Sequence, residues 1–435
     1  MKILILLLLH LQLSISEKCI IDHKRRVKAL GTKTPYAYGH GNLQDIDLPC
    51  PAEKIWLLSR HGTRYPSKQG IKLMNEVIPK IVENIDESKT KLCPEDLKLL
   101  SKWNSNAVEN QAKNLHPEGE LELLNLGENY QNFLPDLLNE DYHHEDYSWR
   151  STKTQRTKES LFYFATGMFG KQVAYNVKYF VSNTSFDPII RFYKGCDKWQ
   201  NEVKHNKSTM MEQEKFENSQ DFKATILDPL SDLLTQDIDL VKLEAIWVSC
   251  TFGQAWHPKK LTPWCNILSK NQVKYLAYRE DLEYFYVDSY GHEINYDQAC
   301  VLIKDVIKQF DKQEDKQKAN FYFSHSGTLL KFQAFLGLSE PKTSPTADNM
   351  KQHISWNTSE MDSFANNIAF IKLSPCDKIG MIVNEKLTQI PNCTDLWCSY
   401  EEFKAIFDKS MTKCDLQSIC KELKVSSNDS EDDKF

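Results

Sequence analysis

The stretch "KIWLLSRHGTRYP", residues Lys54–Pro66, runs from an apolar segment directly into a cluster of cationic and ionisable side chains. Its apolar run IWLL is typical of a strand that is buried on both faces. Arg60, His61 and Arg64 follow at once. Because charged side chains seldom follow a buried strand so abruptly unless the strand end presents them to a ligand, the stretch predicts a strand that carries a functional loop at its carboxyl end.

A second segment has the same design. "NFYFSHSGT" is followed by the helical pattern "LLKFQAFLGL", and His325 lies at the junction. A third, "YHHEDYSWRSTKTQRTKESLFYFATGMF", passes from a polar stretch into an amphipathic helix with Arg156 near its start. Residues from about 195 to 300 show helical periodicity without comparable strand signals. Strand–helix alternation at both ends with helices between predicts an α/β core with an additional α-helical subdomain.

The N-terminus predicts entry into the secretory pathway. "MKILILLLLHLQLSIS" has a Lys at position 2, an apolar run and small residues near a cleavage point, which is the layout of a signal peptide over residues 1–16. The run is too short to span a membrane comfortably, and no later stretch approaches that length. We expect residues 17–425 to form one catalytic unit and residues 426–435 to be a polar tail.

Twelve cysteines, all downstream of residue 16, form an even set in a chain bound for an oxidising compartment, so disulfides are expected. The cluster of Cys393, Cys398, Cys414 and Cys420 lacks the paired spacing of a zinc site, which favours bridges there as well. N-x-[ST] sequons agree with secretion. They begin at Asn183, Asn206, Asn357, Asn392 and Asn428.

The composition excludes some classes of partner. With 435 residues and 41% hydrophobic content, the chain can bury a real core. Its formal net charge is −6, so the molecule as a whole offers no general attraction to nucleic acid or to anionic membranes. A site for an anion must therefore be built locally.

The chemistry of the loop residues fits phosphoryl transfer. A guanidinium binds phosphate oxygens in bidentate fashion. The residues that would bind a phosphate in this way are Arg60, Arg64 and Arg156. An imidazole among them is disfavoured in its protonated form, so His61 is the natural nucleophile. His325 could stabilise charge on the transferring group. This reaction needs no metal and no cofactor.

The motif "RHGTRYP" resembles the R-H-G-x-R-x-P signature of the histidine acid phosphatases. The segments "GTKTPY", "RFYKGCDKW", "PWCNIL" and "NEKL" are more similar to the multiple inositol polyphosphate phosphatase branch. The resemblance implies a histidine-phosphatase-like doubly wound sheet plus a helical subdomain. It also implies that His61 is phosphorylated in a covalent intermediate, that Arg60, Arg64, Arg156 and His325 form the phosphate pocket, and that the substrates are inositol polyphosphates.

One position departs from that pattern. Relatives follow the second histidine with Asp, or with Ala-Glu in the inositol polyphosphate branch, whereas here the stretch is "HSGT" and Gly327 stands at the Glu position. Ser326, Thr328, an acidic residue from elsewhere or a water are the alternatives for the proton donor. The departure keeps two other functions open. One is an acid phosphatase of broad specificity or a 2,3-bisphosphoglycerate phosphatase, and the other is a catalytically weakened protein that binds phosphorylated ligands.

Weaker candidates complete the set. Lys68, two residues past the motif, and Lys33 could bind further phosphates of a polyanionic substrate. Ser326 is not a serine-hydrolase nucleophile, because positions 324 and 328 are not glycines. The histidines of "YHHED" are adjacent in sequence and point apart on a regular element, so a solvated loop is favoured over a metal site.

Overall fold

The computed structural model describes most of the chain, namely residues 28–138, 141–312, 316–352 and 355–421. The expected signal peptide (1–16), the expected polar tail (426–435) and the sequon at Asn428 lie outside the described residues.

One mixed sheet organises the described part of the chain. Its strands are β1 (Ala52–Arg60), β2 (Tyr147–Ser151), β3 (Phe180–Val181), β4 (Ala319–Ser324), β5 (Asn367–Leu373), β6 (Lys378–Val383), β7 (Lys386–Thr388) and β8 (Trp397–Ser399). The order is β3-β2-β4-β1-β5-β6-β7, and β8 pairs with β6. Strands β3, β2, β4 and β1 are parallel, and the pairs from β1/β5 onward are antiparallel.

Helices cover both faces of this sheet and form a further layer beside it. They are α1 (Lys68–Lys72), α2 (Ile78–Glu83), α3 (Pro94–Lys102), α4 (Pro117–Phe133), α5 (Gln155–Phe169), α6 (Lys171–Ala174), α7 (Asp197–Trp199), α8 (Met211–Glu217), α9 (Gln220–Phe222), α10 (Asp228–Leu234), α11 (Leu240–Trp256), α12 (Pro263–Asn266), α13 (Lys270–Asp288), α14 (Glu293–Asp297), α15 (Cys300–Phe310), α16 (Ser326–Phe335), α17 (Thr358–Met361), α18 (Tyr400–Thr412) and α19 (Leu416–Cys420).

Shorter helical turns join these elements. The π-helical turns are Leu73–Val77, Gln200–Lys204 and Lys223–Leu227. The 3-10 turns are Gly31–Lys33, Tyr36–Tyr38, Leu43–Asp45, Glu109–Gln111, Phe192–Lys194 and Lys207–Met210. No helix among the residues described above is both long and apolar enough to cross a membrane.

Strand β1 is buried on both faces, as its apolar run predicts. Trp56 and Leu58 pack in a cluster that also takes side chains from α15, α16 and α18. Ile55 and Leu57 point to the opposite face and pack in a second cluster with α4 and α5. Since successive side chains of a strand alternate between faces, the run IWLL anchors two helical layers at once. The predicted α/β fold with a central sheet and many helices is confirmed.

A third apolar cluster holds the helices that lie outside the sheet layers. It contains side chains of α2, α3 and α8–α13. Residues 195–300, where sequence periodicity indicated helices, contain helices and turns with no strand. The cluster also takes α2 and α3 from before residue 103, so this layer combines two separate parts of the chain. The division of the chain into a catalytic unit with one helical insert stays a prediction.

Strand register brings the functional loops together. In the parallel β1/β4 pair, Arg60 lies opposite Ser324, and in the β2/β4 pair Ser151 lies opposite Phe323. The carboxyl ends of β1, β4 and β2 therefore meet at one edge of the sheet. Because loops at this edge converge, it is the usual place for a ligand in open α/β sheets.

Disulfides tie distant segments to one another, and the prediction of bridges over zinc is confirmed. Every cysteine among the described residues is disulfide-bonded. The pairs whose two members lie there are Cys50–Cys376, Cys196–Cys420, Cys250–Cys265, Cys300–Cys414 and Cys393–Cys398. The oxidised state of so many cysteines fits an oxidising compartment.

Removal of the Cys196–Cys420 bridge by alanine at both positions should lower the free energy of unfolding by about 2–5 kcal/mol, since the bridge closes a long loop in the unfolded chain. The two cysteines are 224 residues apart, whereas Cys393 and Cys398 are 5 apart. The matched removal of Cys393–Cys398 should cost less, by roughly 3 kcal/mol on the same loop-entropy scale. Urea unfolding measures both, and equal losses would contradict the loop-length argument.

Candidate active site

The loop after β1 is held in place by backbone contacts on both sides. The His61 amide donates to the Ser324 carbonyl (3.0 Å), and the Gly62 amide donates to Ser160 Oγ (3.1 Å). A Cβ at Gly62 would lie 2.5 Å from the carbonyl oxygen of Gly119 and 2.7 Å from Leu123 Cδ2. Only glycine therefore allows the loop to pack this closely on the start of α4.

His61 is a buried imidazole in a strongly positive surrounding. Burial, followed by the guanidiniums of Arg156, Arg60 and Arg64, holds its pKa well below the usual range. Its Nδ1 lies 2.9 Å from the Gly62 carbonyl oxygen. Because a carbonyl can only accept, Nδ1 carries the hydrogen in the neutral ring and Nε2 keeps its lone pair. The site thus provides a neutral imidazole with one unprotonated nitrogen.

Arg60 and Arg64 reach the cleft from opposite sides of the loop. Arg60 Nη1 donates to the carbonyl oxygens of Thr32 (2.7 Å) and Asp362 (2.6 Å) and lies 3.4 Å from Asp362 Oδ2. Its guanidinium also stacks over the Phe364 ring at 4.7 Å. Arg64 Nη1 donates to the Tyr65 carbonyl, 2.9 Å away. These contacts fix the two guanidinium planes in the positions from which they line the cleft.

His325 and Arg156 come from the other two strand ends. His325 is the residue before α16, and its ring centroid lies 5.6 Å from that of His61. Arg156, on the first turn of α5, has Nη2 3.4 Å from His325 Nδ1. Since arginine can only donate, Nδ1 accepts, and His325 Nε2 then donates to Thr152 Oγ1, 2.9 Å away. The tautomers of both histidines follow from their neighbours.

Five of the residues predicted from the sequence lie in one cleft or directly behind it, and Lys68 does not. His61, His325, Arg60 and Arg64 line one cleft, and Arg156 contacts His325 behind it. Lys68 is exposed at the start of α1 and does not line this cleft.

Lys33 lies to the side. It is buried in an ion pair with Glu280 (2.5 Å) and lines a neighbouring cavity with Glu283 and Tyr284. These two residues also line the cleft, so the cavity adjoins it.

The rest of the cleft wall comes from residues that sequence reasoning did not single out. Tyr193 and Lys194 belong to "RFYKGCDKW", which gave a resemblance but no role, and the end of α13 carries no motif at all. The additional lining residues are Tyr193, Lys194, Trp199, Lys204, Glu283, Tyr284, Val287 and Asp288.

A fully buried carboxyl lies beneath the cleft. Asp362 accepts a hydrogen bond from Ser326 Oγ, and burial raises its pKa to about 7, while the Arg60 guanidinium opposes that rise. At acidic pH this group is therefore neutral.

Glu122, on α4, supports the loop from below. Its carboxyl accepts from the Thr63 amide (2.6 Å) and from Thr63 Oγ1 (2.9 Å). Burial raises the Glu122 pKa to about 7, and the hydrogen bonds from Thr63 partly offset this rise. The loop that presents His61 thus rests on a carboxyl that titrates near neutrality.

Gly62→Ala should lower the free energy of unfolding by about 1–3 kcal/mol, because the new methyl group must displace the backbone of α4. Gly39→Ala is the control, since a Cβ there meets nothing within 4 Å. Thermal unfolding of both variants gives the comparison, and equal melting temperatures would refute the close-packing argument.

Glu122→Gln should flatten part of the dependence of stability on pH. The folded state holds the Glu122 proton more tightly than the unfolded chain does, so wild-type stability falls as pH rises from about 4.5 through about 7. Glutamine cannot ionise, and the variant should lose this part of the slope. Urea unfolding across pH 4 to 8 measures it. Glu128→Gln, at an exposed position of α4, is the control and should keep the wild-type slope.

Comparison with known proteins agrees with this geometry. The family model described as "Histidine phosphatase superfamily (branch 2)" matches residues 53–382. The multiple inositol polyphosphate phosphatase 1 of Drosophila melanogaster is 29% identical over 94% of this chain and 92% of its own length. The human protein of the same name is 26% identical over 56% of this chain and 54% of its own length.

Solved structures share the fold. The phytase from D. castellii superposes with a TM-score of 0.75 at 15% identity, over 92% of this chain and 88% of its own. The Bifidobacterium longum multiple inositol polyphosphate phosphatase in complex with inositol hexasulfate gives 0.68 at 16% identity, over 87% and 97%. The resemblance carried by "RHGTRYP" is confirmed, and the chain belongs to branch 2 of the histidine phosphatase superfamily.

Proposed function

We propose that this protein hydrolyses the phosphate monoesters of inositol polyphosphates through a phosphohistidine formed on His61. The observation that carries the proposal is a neutral, buried imidazole surrounded by three guanidiniums at the edge of the sheet. The inositol polyphosphate class is supported by the relatives named multiple inositol polyphosphate phosphatase 1.

In the first step the guanidiniums bind the phosphoryl group that is transferred. Arg60, Arg64 and Arg156 neutralise its oxygens and orient the phosphorus toward His61. The lone pair on His61 Nε2 attacks phosphorus while the ester oxygen leaves, which gives a covalent phosphohistidine. Nδ1 keeps its hydrogen bond to the Gly62 carbonyl, so the ring stays oriented as it becomes charged.

In the second step a water oxygen attacks the phosphohistidine and releases phosphate. His325 lies beside the His61 ring and holds Arg156, whose guanidinium stabilises charge on the phosphoryl oxygens. Because side chains already supply the positive charge that the transfer requires, the mechanism needs neither a metal nor another cofactor.

Two lysines line the cleft together with the residues that would bind the reacting phosphate. They are Lys194 and Lys204. Their ammonium groups suit the remaining phosphates of an inositol polyphosphate, whose charge a neutral wall would leave unbalanced. Lys68 and Lys33 have no such position in the cleft.

The same proposal includes passage through the secretory pathway. The leader-like residues 1–16 and the bonded state of the described cysteines support it. Three of the sequons, at Asn183, Asn206 and Asn392, are exposed and suit N-glycosylation.

His61→Ala should abolish both phosphate release from inositol hexakisphosphate and the acid-labile phosphoenzyme, because the unprotonated Nδ1 of the neighbouring His325 is engaged by Arg156. His144→Ala, at an exposed position, is the control and should behave as wild type. Rapid quenching with labelled substrate followed by acid lability measures the intermediate. Undiminished turnover by a folded His61→Ala protein would overturn the covalent mechanism.

A further inference from the structure

A carboxylate from another part of the chain lies against Gly327, the position where "HSGT" lacks an acid. A Cβ built on Gly327 would lie 3.0 Å from Asp288 Oδ1 and 3.5 Å from Asp288 Cγ. Asp288 is the last residue of α13 and is 8% exposed. Its carboxyl group therefore occupies the space that a side chain at position 327 would enter.

A buried lysine holds this carboxylate. Lys331, on α16, is 0% exposed, and its Nζ donates to Asp288 Oδ1 and to the Val287 carbonyl (3.3 Å). The ammonium also lies 4.2 Å from the centroid of the Trp199 ring. Burial lowers the pKa of Lys331 to about 8, and the charge of Asp288 opposes that shift. An ion pair with both partners so enclosed fixes the carboxyl group in one orientation.

Asp288 is one of the residues that line the cleft around His61. Asp288, Ser326 and Gly327 line the same cleft as His61 and His325. A general acid must first be within reach of the oxygen that it protonates. In the described residues, the carboxylates that line this cleft are those of Asp288 and Glu283, and Asp288 is the one in contact with the turn that carries His325.

We propose that Asp288 is the general acid that protonates the leaving-group oxygen, and that Lys331 is its positioning residue. The inference rests on the phosphatase function proposed above. It assigns to α13 a role that a residue one or two positions after the second histidine fills in the related sequences that the motif resembles.

The protons balance over the two steps. In the first, Asp288 enters as the neutral acid, with its proton on Oδ2 while Lys331 donates to Oδ1. The P–O ester bond breaks as the bond from His61 Nε2 to phosphorus forms, and the Asp288 proton passes to the departing oxygen, which leaves as an alcohol. In the second, the Asp288 carboxylate takes a proton from the attacking water, the new P–O bond forms and the N–P bond breaks. Phosphate is released and Asp288 is again protonated. Lys331 neutralises the carboxylate between the two steps.

Asp362 is the competing carboxyl. It is 0% exposed, and its contacts with cleft-lining residues are with the Ser326 hydroxyl, which donates to it, and with Arg60, which cannot relay a proton. A proton from Asp362 would need to pass through Ser326, whereas Asp288 touches the cleft directly. The geometry therefore favours Asp288, and Asp362 becomes an alternative that the experiment distinguishes.

The test compares two kinds of leaving group. An alkoxide needs a proton during cleavage, whereas nitrophenolate leaves readily without one. Asp288→Asn should lower the rate of phosphoenzyme formation from an alkyl phosphate, such as an inositol monophosphate, by ~10²- to 10⁴-fold. The burst of nitrophenolate from nitrophenyl phosphate reports only this first step and should fall far less, which also shows that the variant is folded. Steady-state turnover of both substrates should fall, because the variant cannot take the proton from water in the second step. Glu293→Gln, at an exposed position of α14, is the matched control and should change neither rate.

A second variant moves the acid. Asp288→Ala removes the carboxyl group and the crowding at Gly327, so adding Gly327→Glu should restore a large part of the alkyl phosphate rate. Gly327→Glu in an otherwise wild-type chain should not raise that rate, because the new side chain would collide with Asp288.

Three outcomes would overturn the inference. Equal losses in the rate of phosphoenzyme formation from both substrates in Asp288→Asn would reduce Asp288 to a structural role. A loss confined to alkyl phosphates in Asp362→Asn, with Asp288→Asn unaffected, would assign the proton to Asp362 and Ser326. If the wild type turns over neither substrate and forms no phosphoenzyme, the proposed function fails and the inference fails with it. If the wild type is active but Asp288→Asn shows no difference between the two leaving groups, the inference fails and the proposed function stands.

Discussion

The parallel pairing of β1 with β4 is the constraint on which the rest of the site depends. The ladder places Arg60 opposite Ser324, and the hydrogen bond from the His61 amide to the Ser324 carbonyl continues it one residue further. Two loops that are more than 260 residues apart in the chain are thereby fixed side by side. The 5.6 Å separation of the His61 and His325 rings follows from this backbone contact.

The second constraint is electrostatic. Arg60, Arg64 and Arg156 are all buried, and a buried charge is costly unless it has partners. Carbonyl oxygens, aromatic faces and Asp362 supply some of these partners, and the neutral state of His61 avoids adding another charge. The positive field that would bind a phosphate dianion is thus maintained before any ligand arrives, which is the preorganisation that phosphoryl transfer requires.

The helical layer supplies part of the wall of the cleft. Lys194 and Trp199 come from the segment before α8, and Asp288 comes from the end of α13. The Cys196–Cys420 bridge ties the first of these segments to the C-terminal helix, so the wall is held by a covalent link as well as by packing. The proposed proton donor therefore comes from a helix end that carries no recognisable motif.

The sequence by itself determined the strand and loop around "RHGTRYP", the second loop with His325, the α/β class and the oxidised cysteines. These features are local, since an apolar run, a glycine and three cationic or imidazole side chains within five residues have few other physical explanations. It also led to Lys68, which is exposed, because nearness in sequence says little about direction across the turn into α1.

Only the tertiary structure decided which side chains, distant in the sequence, lie in the same cleft as His61. Asp288 lies 39 residues before Gly327, at the end of a helix whose pattern indicates nothing but burial, and its place beside that glycine arises from the packing of α13 against α16. The same is true of the pKa values of Glu122 and Asp362, which are raised by burial that a linear sequence does not display. Local patterns specify the strand ends, whereas the distances between them are set by how the helices and the sheet pack in the core.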